Sequence, residues 1–476
     1  MDMDFIGAPF DYRGLRVTVM GLGRFGGGAG VVRFLADRGA RVTLTDLQPE
    51  DKLADSLAAI QDCPLERLCL GGHCEQDFIE PDLVVANPAV PKHDRHLELA
   101  RQAGIPVTSE MSLFWQHNRG RIVGVTGSNG KSTTAALVHS MLSSAGLETR
   151  LGGNIGGSLL PVVDEIRPDE WIVLELSSFQ LDDLNRLTAS PHVSVVTNFS
   201  PNHLDWHGSL AEYRGAKQTV LRWQTPECAA VLNGDDPEVS CWTSYGRRLL
   251  FGLEDRGQTG VFVNCSRCVA RIDGAEVDLP VERWLQLPGR HNLQNALAAA
   301  TAALAAGVDP AAIQQGLANF TPLPHRLQPV AEIDGRRFFN DSLATTPESV
   351  VVALSAFSDP IVLLAGGDDK QVDLEVMAEA IADKVKAVAL MGQTATILDE
   401  LIETHDIIRA VRREFCRNFE DAFNWACAQS RPGDVVLLSP GCASYDWFHN
   451  FAERGDRFSQ LVHGWRDRSA ARQHFD

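Results

Sequence analysis

Residues Ile122 to Thr134 read IVGVTGSNGKSTT. A β-branched run that stops at glycines and delivers a lysine and three hydroxyls fits a strand that ends, turns tightly and opens a helix. In such a turn the loop N–H groups converge on anionic oxygens and Lys131 neutralises charge. The hydroxyl of Ser132 or Thr133 can then reach a magnesium ion. The spacing predicts a phosphate loop made of Thr126, Gly127, Ser128, Asn129, Gly130, Lys131, Ser132 and Thr133, with a helix over 131–145. The strict pattern G-x-x-x-x-G-K-[ST] asks for glycine at position 125, which is Val125 here, with glycines instead at 124, 127 and 130. Taken alone, the segment leaves open a glycine-rich helix start that binds nothing.

The rest of the chain repeats the same alternation. Residues 14–47 read as strand, glycine turn, helix and strand. The run GLGRFG at 21–26, with Asp46 ending the next strand about 20 residues on, matches the outline of a dinucleotide fingerprint. Gly21, Gly23, Arg24, Phe25 and Asp46 therefore suit a nucleotide diphosphate and ribose, with NAD, a UDP-sugar and a purely structural βαβ start all open. Strands LVVANPAV and IPVTSEM, around a helix over 94–103, carry this first domain to residue 118. A central domain, 119–322, follows with strands over 171–178 and 192–200 and a helix over 291–306. The prolines of TPLPHR mark a linker. Strand signals at RFFND, IVLLAGG, AVALMG and VVLLSPG then give a third parallel α/β domain, 323–476.

Bulk properties narrow the class. A chain of 476 residues with 44% apolar and 22% charged residues is an ordinary globular protein of about three domains. No apolar run approaches the roughly 18 residues that span a bilayer, and the start is acidic where a secretion signal would be basic, so a cytoplasmic chain with no membrane partner is expected. A net charge of −19 disfavours nucleic acid as a partner. The ten cysteines fit reduced thiols; the only C-x-x-C, Cys265 and Cys268, lacks a second ligand pair for zinc.

In an open parallel sheet the chemistry collects beyond the carboxyl ends of the strands. Glu175, Ser177, Ser178, Gln180, Asn198, His203 and Asp205 fall there. A glutamate between WIVL and LSS is costly to bury unless something pairs it, and magnesium beside ATP phosphates would do so. His203 reads equally well as a structural imidazole, and Lys217, in YRGAKQTVL, reads from the residues alone as a surface lysine on a helix.

In order, the chain carries TGSNGKST, GGNIGG, ELSSFQL, NHLDWHG, YRGAK, GRHNLQNALAA, LPHR, NDS and SPGCASYDWF. With these motifs it resembles the Mur ligases over nearly its whole length, most closely their MurD-like, glutamate-adding branch. The resemblance implies three domains: a Rossmann-like UDP-binding domain, a central ATPase domain and a C-terminal Rossmann-like amino-acid domain. It implies ATP and two magnesium ions as cofactors, and UDP-N-acetylmuramoyl-L-alanine and glutamate as substrates of a monomer. It places Lys131, Ser132 and Thr133 on ATP and magnesium, Glu175 and His203 on the two metals, and Lys217 as a carbamylated metal ligand. Asn154, Ser177 and Gln180 match positions near the muramoyl substrate. Asn292, Asn295, Arg326 and Asp341 match adenine, phosphate and ribose contacts, and Thr345, Lys370, Ser444 and Phe451 the amino-acid pocket. Closure of the last domain onto the ATPase domain is implied as well.

Two positions depart from that pattern. Leu343, in NDSLATT, replaces a lysine usual in the MurD-like branch, which leaves L-glutamate as an alternative to D-glutamate. No arginine follows Asp46, so Arg24 is the cation left for the uracil or diphosphate. Rival readings are a folylpolyglutamate-synthase-like ligase, which the glycine turn at 21–26 argues against, a nucleotide sensor without the metal set, and an NAD oxidoreductase that would leave the phosphate loop idle.

Overall fold

The computed structural model describes residues 11–473 except 24–25, 202–206, 266, 273, 370–371 and 408–409. The chain forms two units, Met1–Trp284 with Gln294–Asn319, and Leu285–Leu293 with Phe320–Asp476. The first contains two sheets and the second contains one.

The first sheet joins β1 (Arg16–Met20), β2 (Arg41–Asp46), β3 (Arg67–Leu70), β4 (Leu83–Ala86) and β5 (Val107–Ser109) in the order β3-β2-β1-β4-β5, all parallel. Alternation along β1 sends Val17 and Val19 to one hydrophobic cluster and Met20 to another on the opposite face. Helix Gly27–Asp37 covers the first face with Val31, Val32, Phe34 and Leu35. Strand order reverses at β1 and β4, which opens a crevice beside the glycine turn. The helix expected over 94–103 is Arg95–Gln102, started by Asp94, whose side chain accepts the His96 N–H.

The second sheet comprises β6 (Arg121–Thr126), β7 (Thr149–Gly153), β8 (Trp171–Glu175), β9 (Val193–Val196), β10 (Ala229–Asn233), β11 (Arg247–Gly252), β12 (Gly260–Asn264), β13 (Arg267–Ile272) and β14 (Ala275–Asp278), in the order β14-β13-β12-β11-β10-β9-β6-β8-β7. Strand β6 lies between β8 and β9 and leads into helix Lys131–Ser144. The expected strand over 171–178 stops at Glu175, because Ser177 caps helix Ser178–Arg186 in a reciprocal pair with Gln180. The expected parallel sheet is only part of the arrangement: β12, β13 and β14 are antiparallel. Short turns join them, one at Cys265 (φ 46°) and one at Gly274 (φ 80°), and hairpins need no crossover helix. Cys265 is exposed in its turn and Cys268 is buried.

In the second unit β15 (Gln328–Ile333), β16 (Arg336–Asn340), β17 (Ile361–Gly366), β18 (Val385–Met391), β19 (Arg412–Phe415) and β20 (Val435–Leu438) run in the order β15-β16-β20-β17-β18-β19. All pairs are parallel except β15 with β16. That hairpin turns on Asp334 and Gly335, both at positive φ, the Asp-Gly signal that the strand pattern alone passes over. Helix Arg290–Ala305 gives its first residues to this unit and the remainder to the other. Among the described residues no helix is long and apolar enough to cross a membrane.

Candidate functional site

The phosphate loop grows from the pairing of β6. Val125 is fully buried and lies opposite Glu175 and Val195, so the first glycine of the strict pattern falls within a regular strand that needs none. The turn starts at Gly127, where a Cβ would come within 1.9 Å of the Thr197 hydroxyl. Gly130 caps the helix in the left-handed region (φ 81°), and a Cβ there would lie 2.2 Å from Asn295 Oδ1. Asn295 thus lies directly beneath the loop.

The segment that leaves strand β9 holds the loop from the side. Asn198 accepts the Asn129 N–H at 2.8 Å and donates to its carbonyl at 3.0 Å, while the Thr197 hydroxyl donates to the same carbonyl at 2.6 Å. The Ser128 N–H donates to Asn198 O, and its hydroxyl donates to Ser200 O at 2.8 Å. Lys131 Nζ donates to Ser128 O at 2.9 Å, and Ser132 and Thr133 are buried in the first helical turn. Asn198 and Thr197 belong to the site without having been assigned a role from the sequence. The signal for Asn198 was its place after an apolar strand.

Glu175 is 1% exposed. Its Oε1 accepts from Asn154 at 3.1 Å, and its Oε2 has no hydrogen-bond partner among the described residues. Asn154 comes this close because Gly153 (φ 90°) lets β7 approach, a Cβ there falling 2.3 Å from Glu175 O. The Thr126 hydroxyl, where the loop begins, is likewise buried and has no partner among the described residues. Unmatched buried oxygens are rare in folded proteins, and a bound ligand or ion is one thing that satisfies them.

Lys217 overturns the reading from residues alone. It is 2% exposed, on helix Leu210–Arg222, and donates to Gly127 O at 2.7 Å. Burial, then the charge of Lys131, pushes its pKa well below the ordinary lysine value, against a weaker opposing pull from Glu175. The signal was present: Tyr213, Ala216, Val220 and Leu221 form a buried stripe, and Lys217 lies within it. His207, in the same motif as His203, meets Ser178 Oγ at 2.8 Å. Ser177 and Gln180 are bound to each other in the helix cap.

On the first sheet Gly21 and Gly23 have φ of 91° and 63°. Asp46 does not project freely: it accepts the N–H groups of Leu22 (2.8 Å), Gly23 (3.2 Å) and Gln48 (2.8 Å), holding the glycine turn in place. Asn87, which no sequence signal pointed to, closes the other side with its amide on Gly21 O. Arg24, Phe25, His203 and Lys370 lie outside the described residues.

The second unit assembles another group. Asp341 is 5% exposed and accepts from Leu327 N (3.0 Å) and Ser439 Oγ (2.8 Å); burial raises its pKa to about 7. Arg326 is half-buried and opposes the protonation of both Asp341 and His291. Asn292 donates to Pro288 O at 2.7 Å. Ser444 is buried, Thr345 and Leu343 are half-buried, and the Phe451 ring meets His325 edge-on at 6.2 Å.

Three family descriptions match consecutive parts of the chain: Mur ligase MurD-like, N-terminal domain over 15–109, Mur ligase middle domain over 125–303, and Mur ligase, glutamate ligase domain over 325–442. A UDP-N-acetylmuramoylalanine--D-glutamate ligase of Symbiobacterium thermophilum is 39% identical, covering 94% of this chain and 97% of its own. The protein of that name from Geobacillus kaustophilus is 41% identical, covering 95% and 98%. Among solved structures, the UDP-N-acetylmuramate-alanine ligase MurC of Thermotoga maritima shares the fold with a TM-score of 0.63 at 18% identity, covering 94% of this chain and 99% of its own. MurF of Acinetobacter baumannii does so with a TM-score of 0.57 at 17% identity, covering 94% and 93%. The match runs through all three sheets, and the chain belongs to the Mur ligase family.

Proposed function

We propose that the chain is an ATP-dependent ligase that joins D-glutamate to UDP-N-acetylmuramoyl-L-alanine in the cytoplasm, releasing ADP and phosphate, and that it works as a monomer. The observation that carries this reading is the convergence on one phosphate loop of a buried carboxylate with an unpartnered oxygen and a buried lysine whose ammonium form is disfavoured. We take the functional divisions as 1–118, 119–322 and 323–476.

A carboxylate is a poor electrophile and must be activated. The alanyl carboxylate attacks the γ-phosphorus of ATP, the bond to the ADP oxygen breaks, and an acyl phosphate forms. The neutral amine of glutamate then attacks the acyl carbon. Phosphate leaves with its electron pair and the amide nitrogen loses its proton. The loop N–H groups and Lys131 hold the phosphates, while Thr126, Gly127, Ser128, Asn129 and Gly130 shape the cradle. Asn295 supports Gly130, and Asn292, Arg326 and Asp341 are assigned to adenine, phosphate and ribose. Gly21, Gly23, Arg24, Phe25 and Asp46 are assigned to the uridine diphosphate, with Asn154, Ser177 and Gln180 toward the muramoyl peptide. Thr345, Lys370, Ser444 and Phe451 are assigned to glutamate.

The Glu175 oxygen without a partner among the described residues fits magnesium, and so does an uncharged Lys217, since a neutral amine can add its nitrogen to the carbon of carbon dioxide and lose a proton to become an oxygen-donating carbamate. Ser132, Glu175, His203 and carbamylated Lys217 would hold two magnesium ions, which when bound would neutralise charge on the transferring phosphoryl group. Incubation with UDP-N-acetylmuramoyl-L-alanine, ATP, Mg²⁺ and either enantiomer of glutamate tests the whole reading. Phosphate release with D-glutamate alone is expected. Release with L-glutamate alone would reassign specificity through Leu343, and no release with either would defeat the ligase reading.

A further inference from the structure

Arg454 is 2% exposed, in the first turn of helix Phe451–Gln473. Its five N–H donors all meet neutral acceptors. Nε donates to Ser342 Oγ (3.0 Å), Nη1 to the carbonyls of Cys442 (3.1 Å) and Ala443 (3.2 Å), and Nη2 to those of Ser342 (2.9 Å) and Cys442 (3.1 Å). Carbonyl dipoles solvate a guanidinium but leave its charge in place. The Cys442 thiol and the Asp446 carboxylate act on it from a distance; among the described residues no ion pair joins it to a carboxylate, and the Asp446 oxygens accept the Gln393 and Trp447 N–H groups. Burial lowers the pKa of Arg454 only to about 10, so it stays a cation at neutral pH.

The two segments that Arg454 ties together run directly into Leu343, Thr345 and Ser444. Next to Arg454 the helix comes close to the His325 ring because residue 455 is glycine; a Cβ there would fall 2.2 Å from that ring. A charge buried without a counter-ion acts over a longer range than one in water, and it favours an anion over a neutral ligand of the same shape. We infer that Arg454 is a positioning residue that makes the pocket beside Ser342–Thr345 and Cys442–Ser444 selective for a dicarboxylic amino acid, through its unpaired charge and its hold on both segments. This rests on the proposed glutamate pocket. It adds a second cation, beside the Lys370 assigned to that pocket, where position 343 carries only a leucine.

The test compares KM for D-glutamate, KM for ATP and preference for D-glutamate over D-glutamine in the full-length enzyme and in Arg454→Lys, Arg454→Gln and Arg454→Gln/Leu343→Lys. Arg454→Gln is expected to raise KM for D-glutamate at least tenfold, leave KM for ATP within about threefold, and erode the preference. Adding Leu343→Lys should recover most of the loss, which a merely structural role would not allow. Arg454→Lys keeps the charge with fewer donors and should keep KM for D-glutamate within about threefold even if it melts earlier. If Arg454→Gln fails to fold, Arg454→Lys decides: a tenfold rise in its KM for D-glutamate with ATP binding intact would overturn the inference. Equal rises for both substrates, or no rescue at 343, would overturn it too. An unmodified enzyme that fails to turn over glutamate would instead refute the proposed function.

Discussion

Replacing Asn198 by alanine removes both bonds between its amide and the Asn129 peptide, at 2.8 and 3.0 Å. The two losses are unequal. Asn129 O keeps the Thr197 hydroxyl at 2.6 Å, so the donated bond is partly redundant, whereas the Asn129 N–H loses its acceptor. A hydrogen bond contributes about 1 kcal/mol net, and Asn198 is partly exposed, so water can replace some of what is lost; the total comes to about 1–2 kcal/mol. The Ser128 anchors on Asn198 O and Ser200 O survive, so the fold should hold and the melting temperature fall by only a few degrees. The cost appears when the loop must be ordered around phosphates, as an ATP affinity weaker by about 5–30-fold. Calorimetric titration with a non-hydrolysable ATP analogue and Mg²⁺ measures it. Asn198→Asp should be no better, since its carboxylate faces the Asn129 carbonyl and the incoming phosphates. An Asn198→Ala protein that binds the analogue within twofold of the unmodified protein would refute the claim that the segment leaving β9 pre-orders the loop.

Gly130→Ala puts a Cβ 2.2 Å from Asn295 Oδ1 at φ 81°; it should cost roughly 1–3 kcal/mol and abolish measurable ATP binding in the same titration while the circular dichroism stays native. Removing carbon dioxide should lower turnover and bicarbonate should restore it, with a ¹³C-bicarbonate NMR signal at Lys217 that is absent in Lys217→Ala; turnover indifferent to carbon dioxide would speak against the carbamate. Asp341 has a folded pKa raised to about 7 by burial, so between roughly pH 4 and pH 7 the folded chain holds a proton that the unfolded chain has released, and stability falls as pH rises through that window. Unfolding free energies from denaturant titration should therefore shift in favour of Asp341→Asn over the unmodified protein by on the order of 3 kcal/mol from pH 4.5 to pH 7.5; parallel profiles would count against the buried, protonated carboxyl.

The strands around Ile122, Trp171, Val193 and Ile361 were legible because strands buried on both faces are continuous apolar runs, and the helix starts because glycine, serine and asparagine caps are local chemistry. The β12–β14 meander and the β15 hairpin were less legible. Their side chains are partly exposed and their register is set by turns at Cys265, Gly274 and Asp334–Gly335 rather than by an apolar pattern.

By itself the sequence determined the alternation of strand and helix, the phosphate loop and the family, since each is written in short segments whose backbone needs are local: a glycine where φ is positive, a hydroxyl where a helix begins. Tertiary structure alone decided what the charged and polar residues do. Lys217 looks like a surface residue until its helix turns that stripe inward, Glu175 has Asn154 brought to one of its oxygens by β7 and, among the described residues, nothing on the other, and Asp46 turns inward onto Leu22 and Gly23. Arg454 is a buried cation with no ion pair among the described residues because Ser342 and the Cys442–Ala443 segment, far apart in the chain, close their carbonyls around it. The physical reason is common to all four: desolvation and pairing set the chemistry of an ionisable group, and both depend on neighbours that the fold brings from far along the chain.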